Sequence, residues 1–226
     1  MSIELNAVAF DLDGTLYPNH RFYVRLIPFM FRRHRLLRAM GRARDALRAA
    51  TQEGRFYDLQ ARIMAEILQE DPLKIQKQTE QLIYRGWEPL FKGLELFPHV
   101  RETLGNFKDR GYKLGLLSDF PPEKKLEYLG LAGLWDSVLC SEETGRLKPD
   151  PAPFLALCRA LDCPAEKVLY VGNSLAYDVR GAKSVGMKTA LIASRTRRFL
   201  SATAIRESGV DFIFSDYRQL RAYVLS

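Results

Sequence analysis

Ala7-Val8-Ala9-Phe10-Asp11-Leu12-Asp13-Gly14-Thr15 is a four-residue apolar run that ends in two acids, one residue apart, and then a glycine. A short apolar run bounded by a turn reads as a buried strand. At a strand end alternate side chains share a face, so Asp11 and Asp13 can converge, while Gly14 lets the backbone swing away. Two carboxylates held close repel unless a proton or a cation intervenes, and a hard cation with oxygen ligands, such as Mg²⁺, suits them.

Similar runs recur at residues 114–117, 168–171, 189–192 and 211–214, with enough chain between them for a helix and its loops. That alternation predicts an α/β fold built on a doubly wound parallel sheet. Ligands of such sheets bind at the carboxyl ends of the strands. Three of those ends carry polar chemistry: Asp11 with Asp13, Ser118 with Asp119, and Gly172 with Asn173. Residues 17–91 differ, with helical patterns over 29–50, 57–68 and 72–84 and no strand. Asp71-Pro72 reads as an N-cap followed by proline in the first turn, and Gly111 closes a helix over 99–110.

The polar residues form an ordered set. Ser118 offers a hydroxyl to an oxyanion. Lys148 is a cation in the restricted stretch Leu147-Lys148-Pro149-Asp150-Pro151. Gly172-Asn173-Ser174-Leu175-Ala176-Tyr177-Asp178 adds oxygen donors. A carboxylate pair, a hydroxyl, a lysine and an acidic loop are what phosphoryl transfer through a covalent aspartate requires.

With these motifs in this order, the sequence resembles the haloacid dehalogenase-like hydrolases, in particular the phosphatase branch with a first-type helical cap. The resemblance covers about residues 7–17 and 93–215. It implies a Rossmann-like core from 1–16 and 93–226 and an inserted α-helical cap over 17–92. It also implies that Asp11 is the nucleophile and Asp13 the general acid and base, while Ser118 and Lys148 bind phosphate. Asp11, Asp13, Asn173 and Asp178 hold Mg²⁺ in that reading, and the substrate is a small phosphorylated metabolite, for instance a nucleoside monophosphate. The family usually has Asp where this chain has Asn173, so a weaker metal site is expected. Dehalogenases of the superfamily lack the second acid of the first motif, here Asp13, which favours a phosphatase. A phosphomutase would use the same residues, and a binding protein with little turnover would be a different class altogether.

Nine arginines lie between Arg21 and Arg48, interleaved with Leu26, Met30, Leu37, Met40 and Leu47 at helical spacing. The expectation is an amphipathic helix with a solvated arginine face and a packed apolar face. Such a face also attracts anionic substrates, acidic lipid or nucleic acid. At 47% hydrophobic and 27% charged, the chain can build a core without disulfides or a structural metal. Its three cysteines form no CxxC pair and read as buried thiols, and the histidines lack metal-ligand spacing. The absence of a long apolar segment and of a signal-like N-terminus leads to a cytoplasmic expectation. Gly181 and Ala182 read as small residues for close helix packing, since Gly181-Ala182-Lys183-Ser184 lacks the glycines of a P-loop.

Overall fold

The structure, a computed structural model, describes residues 4–49, 54–194 and 202–226. Its centre is a parallel sheet of β1 (Ala7–Phe10), β2 (Lys113–Ser118), β3 (Ser137–Cys140), β4 (Val168–Gly172), β5 (Lys188–Ile192) and β6 (Phe212–Phe214). They are ordered β3-β2-β1-β4-β5-β6, so the chain builds outward on one side of β1 and then returns to the other. Five strands coincide with the apolar runs. β3 was not anticipated, because it lies at the sheet edge, where Ser137, Val138 and Leu139 are only half-buried and the apolar signal is short.

Phe10 pairs in register with Leu116 on one side and Val171 on the other. Asp11 therefore leaves β1 between the carboxyl ends of β2 and β4, where the strand order reverses, the usual ligand crevice of an open α/β sheet. All four residues of β1 are buried. Val8 and Phe10 face a core shared with Leu104, Phe107 and Phe214, while Ala7 and Ala9 face Phe154, Leu157 and Tyr170.

Between β1 and β2 the described chain is helical: α1 (Asn19–Ala49), α2 (Phe56–Leu68), α3 (Pro72–Thr79) continuing through a π turn (Glu80–Tyr84), α4 (Arg85–Trp87), and a 3₁₀ turn (Glu88–Phe91). Asp71 caps α3 by accepting from the Lys74 amide at 2.9 Å. α1 starts ten residues before the predicted helix, whose expected end, residue 50, lies outside the described residues. Its non-helical Arg33 (φ −130°, ψ 27°) breaks it into two segments with different buried stripes: Phe22 and Leu26 first, then Leu36, Met40, Ala43 and Leu47. Met30, expected on the packed face, falls on neither stripe and is exposed. Leu36, Met40, Met64, Ile75 and Ile83 form a core of the insertion's own, whereas Phe22, Leu26 and Phe91 join the core beneath the sheet.

The remaining helices flank the strands: α5 (Val100–Asp109), α6 (Glu123–Leu129), α7 (Pro151–Ala160), α8 (Arg180–Ser184), α9 (Ala202–Glu207) and α10 (Tyr217–Leu225). A Cβ on Gly181 would lie 2.2 Å from the Phe154 ring, which explains why α8 needs glycine to approach α7. The three cysteines are free and buried.

Candidate active site

Asp11 is the first residue beyond β1 and its carboxylate is gripped on both oxygens. The Thr15 hydroxyl donates to one and the Lys148 ammonium to the other, each at 2.7 Å. Lys148 comes from the loop before α7 and also donates to Asp178 at 2.7 Å. All three side chains are buried. Burial pushes Asp11 up to about 7, with Lys148 opposing and Asp178 and Asp13 adding to the rise. Burial pulls Lys148 down, but Asp11 and Asp178 outweigh it and hold the ammonium well above its ordinary value. Lys148 is thus a fixed cation.

Asp178 closes the fourth loop on itself. Its other oxygen accepts from the amides of Asn173 and Ser174, both at 3.0 Å. The loop can curl this tightly because a Cβ on Gly172 would lie 2.4 Å from that of Asp178. The Asn173 amide donates to the Asp13 carbonyl at 2.9 Å, tying the fourth loop to the first. Gly14 (φ 86°) makes the turn beneath, and a Cβ there would strike the Asn173 side chain at 2.0 Å. Ser118 ends β2 fully buried, its hydroxyl accepting from the Phe120 amide at 3.2 Å.

The Asp13 carboxyl turns the other way. Tyr17 donates to one oxygen and Lys125 of α6 to the other, the latter at 2.7 Å. Asp13 lines a cavity of about 250 Å³ with Tyr17, Tyr23, Trp87, Phe91 and Phe120, largely apolar apart from Lys125. Asp11, Ser118, Lys148, Asn173 and Asp178 lie outside that wall.

The model of the haloacid dehalogenase-like hydrolases matches residues 5–186. The chain belongs to this family. It is 30% identical to a glyceraldehyde 3-phosphate phosphatase from Methanopyrus kandleri, over 83% of this chain and 84% of that one. It is 27% identical to a phosphoglycolate phosphatase from Haemophilus influenzae, over 97% and 98%. The crystal structure of a phosphatase of the family from Thermococcus onnurineus superposes with a TM-score of 0.64 at 26% identity, covering 97% of this chain and 98% of the other. With its six parallel strands and inserted helices, the chain is a hydrolase of the phosphatase branch.

In this haloacid dehalogenase-like hydrolase the metal question turns on oxygen donors. No cluster of three or more His, Cys, Asp or Glu among the described residues is placed to hold a metal ion. The Asn173 amide nevertheless meets the Asp13 carbonyl, two residues from Asp11, and a half-turn of that amide would present its oxygen. One carboxylate, two neutral oxygens and water are a donor set that Mg²⁺ accepts. The residues fit the ion. The Asp178 carboxylate already serves Lys148 and two amides.

Several residues at this hydrolase's site were not singled out from sequence. Lys125 sits beside Lys124, which is exposed and paired with Glu127. Only the stripe of Lys125, Leu126 and Leu129 on α6 marks it as inward-facing. Arg44 and Arg48 of α1, expected on a solvated face, instead fasten the insertion to the core. Arg44 pairs with buried Glu142 and donates to the Asp119 carbonyl at 2.8 Å, its guanidinium 4.1 Å from the Phe120 ring centre. Arg48 pairs with Asp119 at 2.8 Å and donates to the Lys148 carbonyl at 3.0 Å. Burial pushes Asp119 up, but Lys148, Arg44 and Arg48 together hold it below its ordinary value. A run of arginines gives no sign of which members will find buried acids.

Proposed function

We propose that the chain hydrolyses small phosphate monoesters through an aspartyl-phosphate on Asp11. An Asp11 oxygen attacks phosphorus, the bond from phosphorus to the alcohol oxygen breaks, and Asp13 gives that oxygen a proton. Asp13 then takes a proton from water, whose oxygen attacks phosphorus and releases Asp11 and inorganic phosphate. Lys148 and Ser118 hold the phosphoryl oxygens, and Asp178 keeps Lys148 in place. Tyr17 and Lys125 aim the Asp13 carboxyl toward the cavity, where the alcohol would lie. Asp11, the Asp13 carbonyl and Asn173 would hold Mg²⁺, whose charge lets two anions approach. Asp178 acts in this reading by shaping the loop.

The observation that carries the reading is the opposed orientation of the two acids. Asp11 is clamped between Thr15 and Lys148, while Asp13, two residues on, faces the cavity. Relatives named for glyceraldehyde 3-phosphate and phosphoglycolate support a small metabolite as substrate. We further divide the chain into a core (1–16 and 93–226) and a cap (17–92), and place the enzyme in the cytoplasm; no helix of the described residues is long and apolar enough to cross a membrane. Steady-state assays on p-nitrophenyl phosphate and a panel of phosphorylated metabolites test the proposal. Wild-type turnover should depend on Mg²⁺. Asp11→Asn should lose at least about 10³-fold in kcat, and Asp13→Asn about 10²–10⁴-fold. Unchanged turnover in Asp11→Asn defeats the proposal.

A further inference from the structure

The first segment of α1 buries one side and leaves the opposite side apolar. Tyr23, Val24, Ile27, Met30 and Phe31 recur at helical spacing and are 54%, 62%, 45%, 46% and 81% exposed. They form one continuous stripe, opposite the buried Phe22 and Leu26. Scattered exposed apolar residues need no explanation, but a contiguous stripe on one helix does.

The charge around the stripe is of one sign. No Asp or Glu occurs between Asp13 and Asp45. Arg32, Arg33, Arg35 and Arg38, just beyond the stripe, are exposed and have no ion-pair partner among the described residues. Two acids from neighbouring elements are engaged: Glu70, which borders the recess with Arg32, Arg33 and Arg35, pairs with Lys74 at 2.7 Å, and Glu95 pairs with Arg21. Arg25 donates to the Leu90, Lys92 and Gly93 carbonyls and so fastens the segment to the core.

We propose that this face docks on an anionic lipid bilayer, with the apolar stripe at the acyl boundary and the arginines among the headgroups. An apolar helix face bordered by arginines is the combination such a surface recognises. A nucleic acid would engage the arginines and leave Ile27 and Phe31 in water. A second copy of this chain is disfavoured by charge. Arg25 stands at one end of the stripe and Arg32, Arg33 and Arg35 at the other, so two-fold pairing sets positive against positive in either direction. Tyr23 lies both on the stripe and in the cavity wall beside Asp13, so docking sets the cavity mouth near the lipid.

Vesicle co-sedimentation of the full chain tests this, with light scattering in parallel. Binding to phosphatidylcholine vesicles containing roughly one-third phosphatidylserine should exceed binding to pure phosphatidylcholine by at least about tenfold, and weaken with salt. Ile27→Ser with Phe31→Ser should lower binding to the anionic vesicles at least about fivefold, as should Arg32→Gln with Arg33→Gln and Arg35→Gln. These positions lie outside the catalytic machinery, so p-nitrophenyl phosphate turnover and the circular dichroism spectrum should be retained and serve as folding controls. Absence of vesicle binding, or binding indifferent to Ile27→Ser/Phe31→Ser, overturns the proposal. So does a solution dimer that Phe31→Ser dissociates while vesicles capture nothing, which would assign the stripe to a second copy.

Discussion

The Asn173 amide spans the gap to the Asp13 carbonyl. Asn173→Asp replaces that hydrogen bond with two facing oxygens. Without a cation this should cost about 1 kcal/mol, lowering the melting temperature by about 2–4 °C for a chain of this size. Mg²⁺ between the oxygens should reverse the loss, so the variant's melting temperature should rise more on adding the ion than the wild type's does. Equal responses in the two proteins would separate Asn173 from the metal. How each site residue could be read in the sequence depended on its setting. Asp11 and Asn173 follow strands and Ser118 ends one, so an apolar run announced each of them. Lys148 precedes Pro149 and Pro151, a restricted setting for a charge. Lys125 had no such frame, because a lysine on a short polar helix looks like any solvated lysine until Asp13 is seen opposite it.

α1 shows what periodicity can and cannot carry. Its apolar spacing marked a helix, but the break at Arg33 rotates one half against the other, and a single stripe drawn through both halves misplaced Met30 and Arg44. Arg44 is the element's firmest tie to the core. Arg44→Ala should destabilise the protein by about 3 kcal/mol, because Glu142 is left buried without its cation. Adding Glu142→Gln should recover part of that loss, giving a double-mutant cycle in urea with strongly non-additive terms. Additive losses would mean that the pair is not coupled. At the other end of the chain, Asp216 caps α10 by accepting from the Arg218 amide at 2.8 Å. Arg218 holds that carboxyl down, to about 2. A depressed carboxyl stabilises above its ordinary value near 4 and loses that contribution as pH falls toward 2. Asp216→Ala should therefore cost about 1 kcal/mol at neutral pH. The difference from wild type should narrow between pH 4 and pH 2, read by denaturant titration at each pH.

At the scale of the whole molecule, the site is a consequence of topology. Strand order β3-β2-β1-β4-β5-β6 brings Asp11, Ser118 and the Gly172 loop to one edge from positions far apart in sequence. The five apolar runs, four interior strands and the edge strand β6, were enough to infer that sheet, and edge strand β3 was not needed for it. The placement of the helical insertion over the edge was less legible, because it rests on Arg44, Arg48 and their acidic partners rather than on any pattern along the chain. Everything functional depends on Asp11 acting as the nucleophile. A single turnover of p-nitrophenyl phosphate with Mg²⁺, quenched in acid at successive times and followed by peptide mass spectrometry, tests this directly. A transient phosphoryl mass should appear on the peptide carrying Asp11, rising with p-nitrophenol release and decaying as phosphate appears. Complete turnover with no phosphorylated peptide at any time, or with the phosphoryl group on another residue, would contradict it.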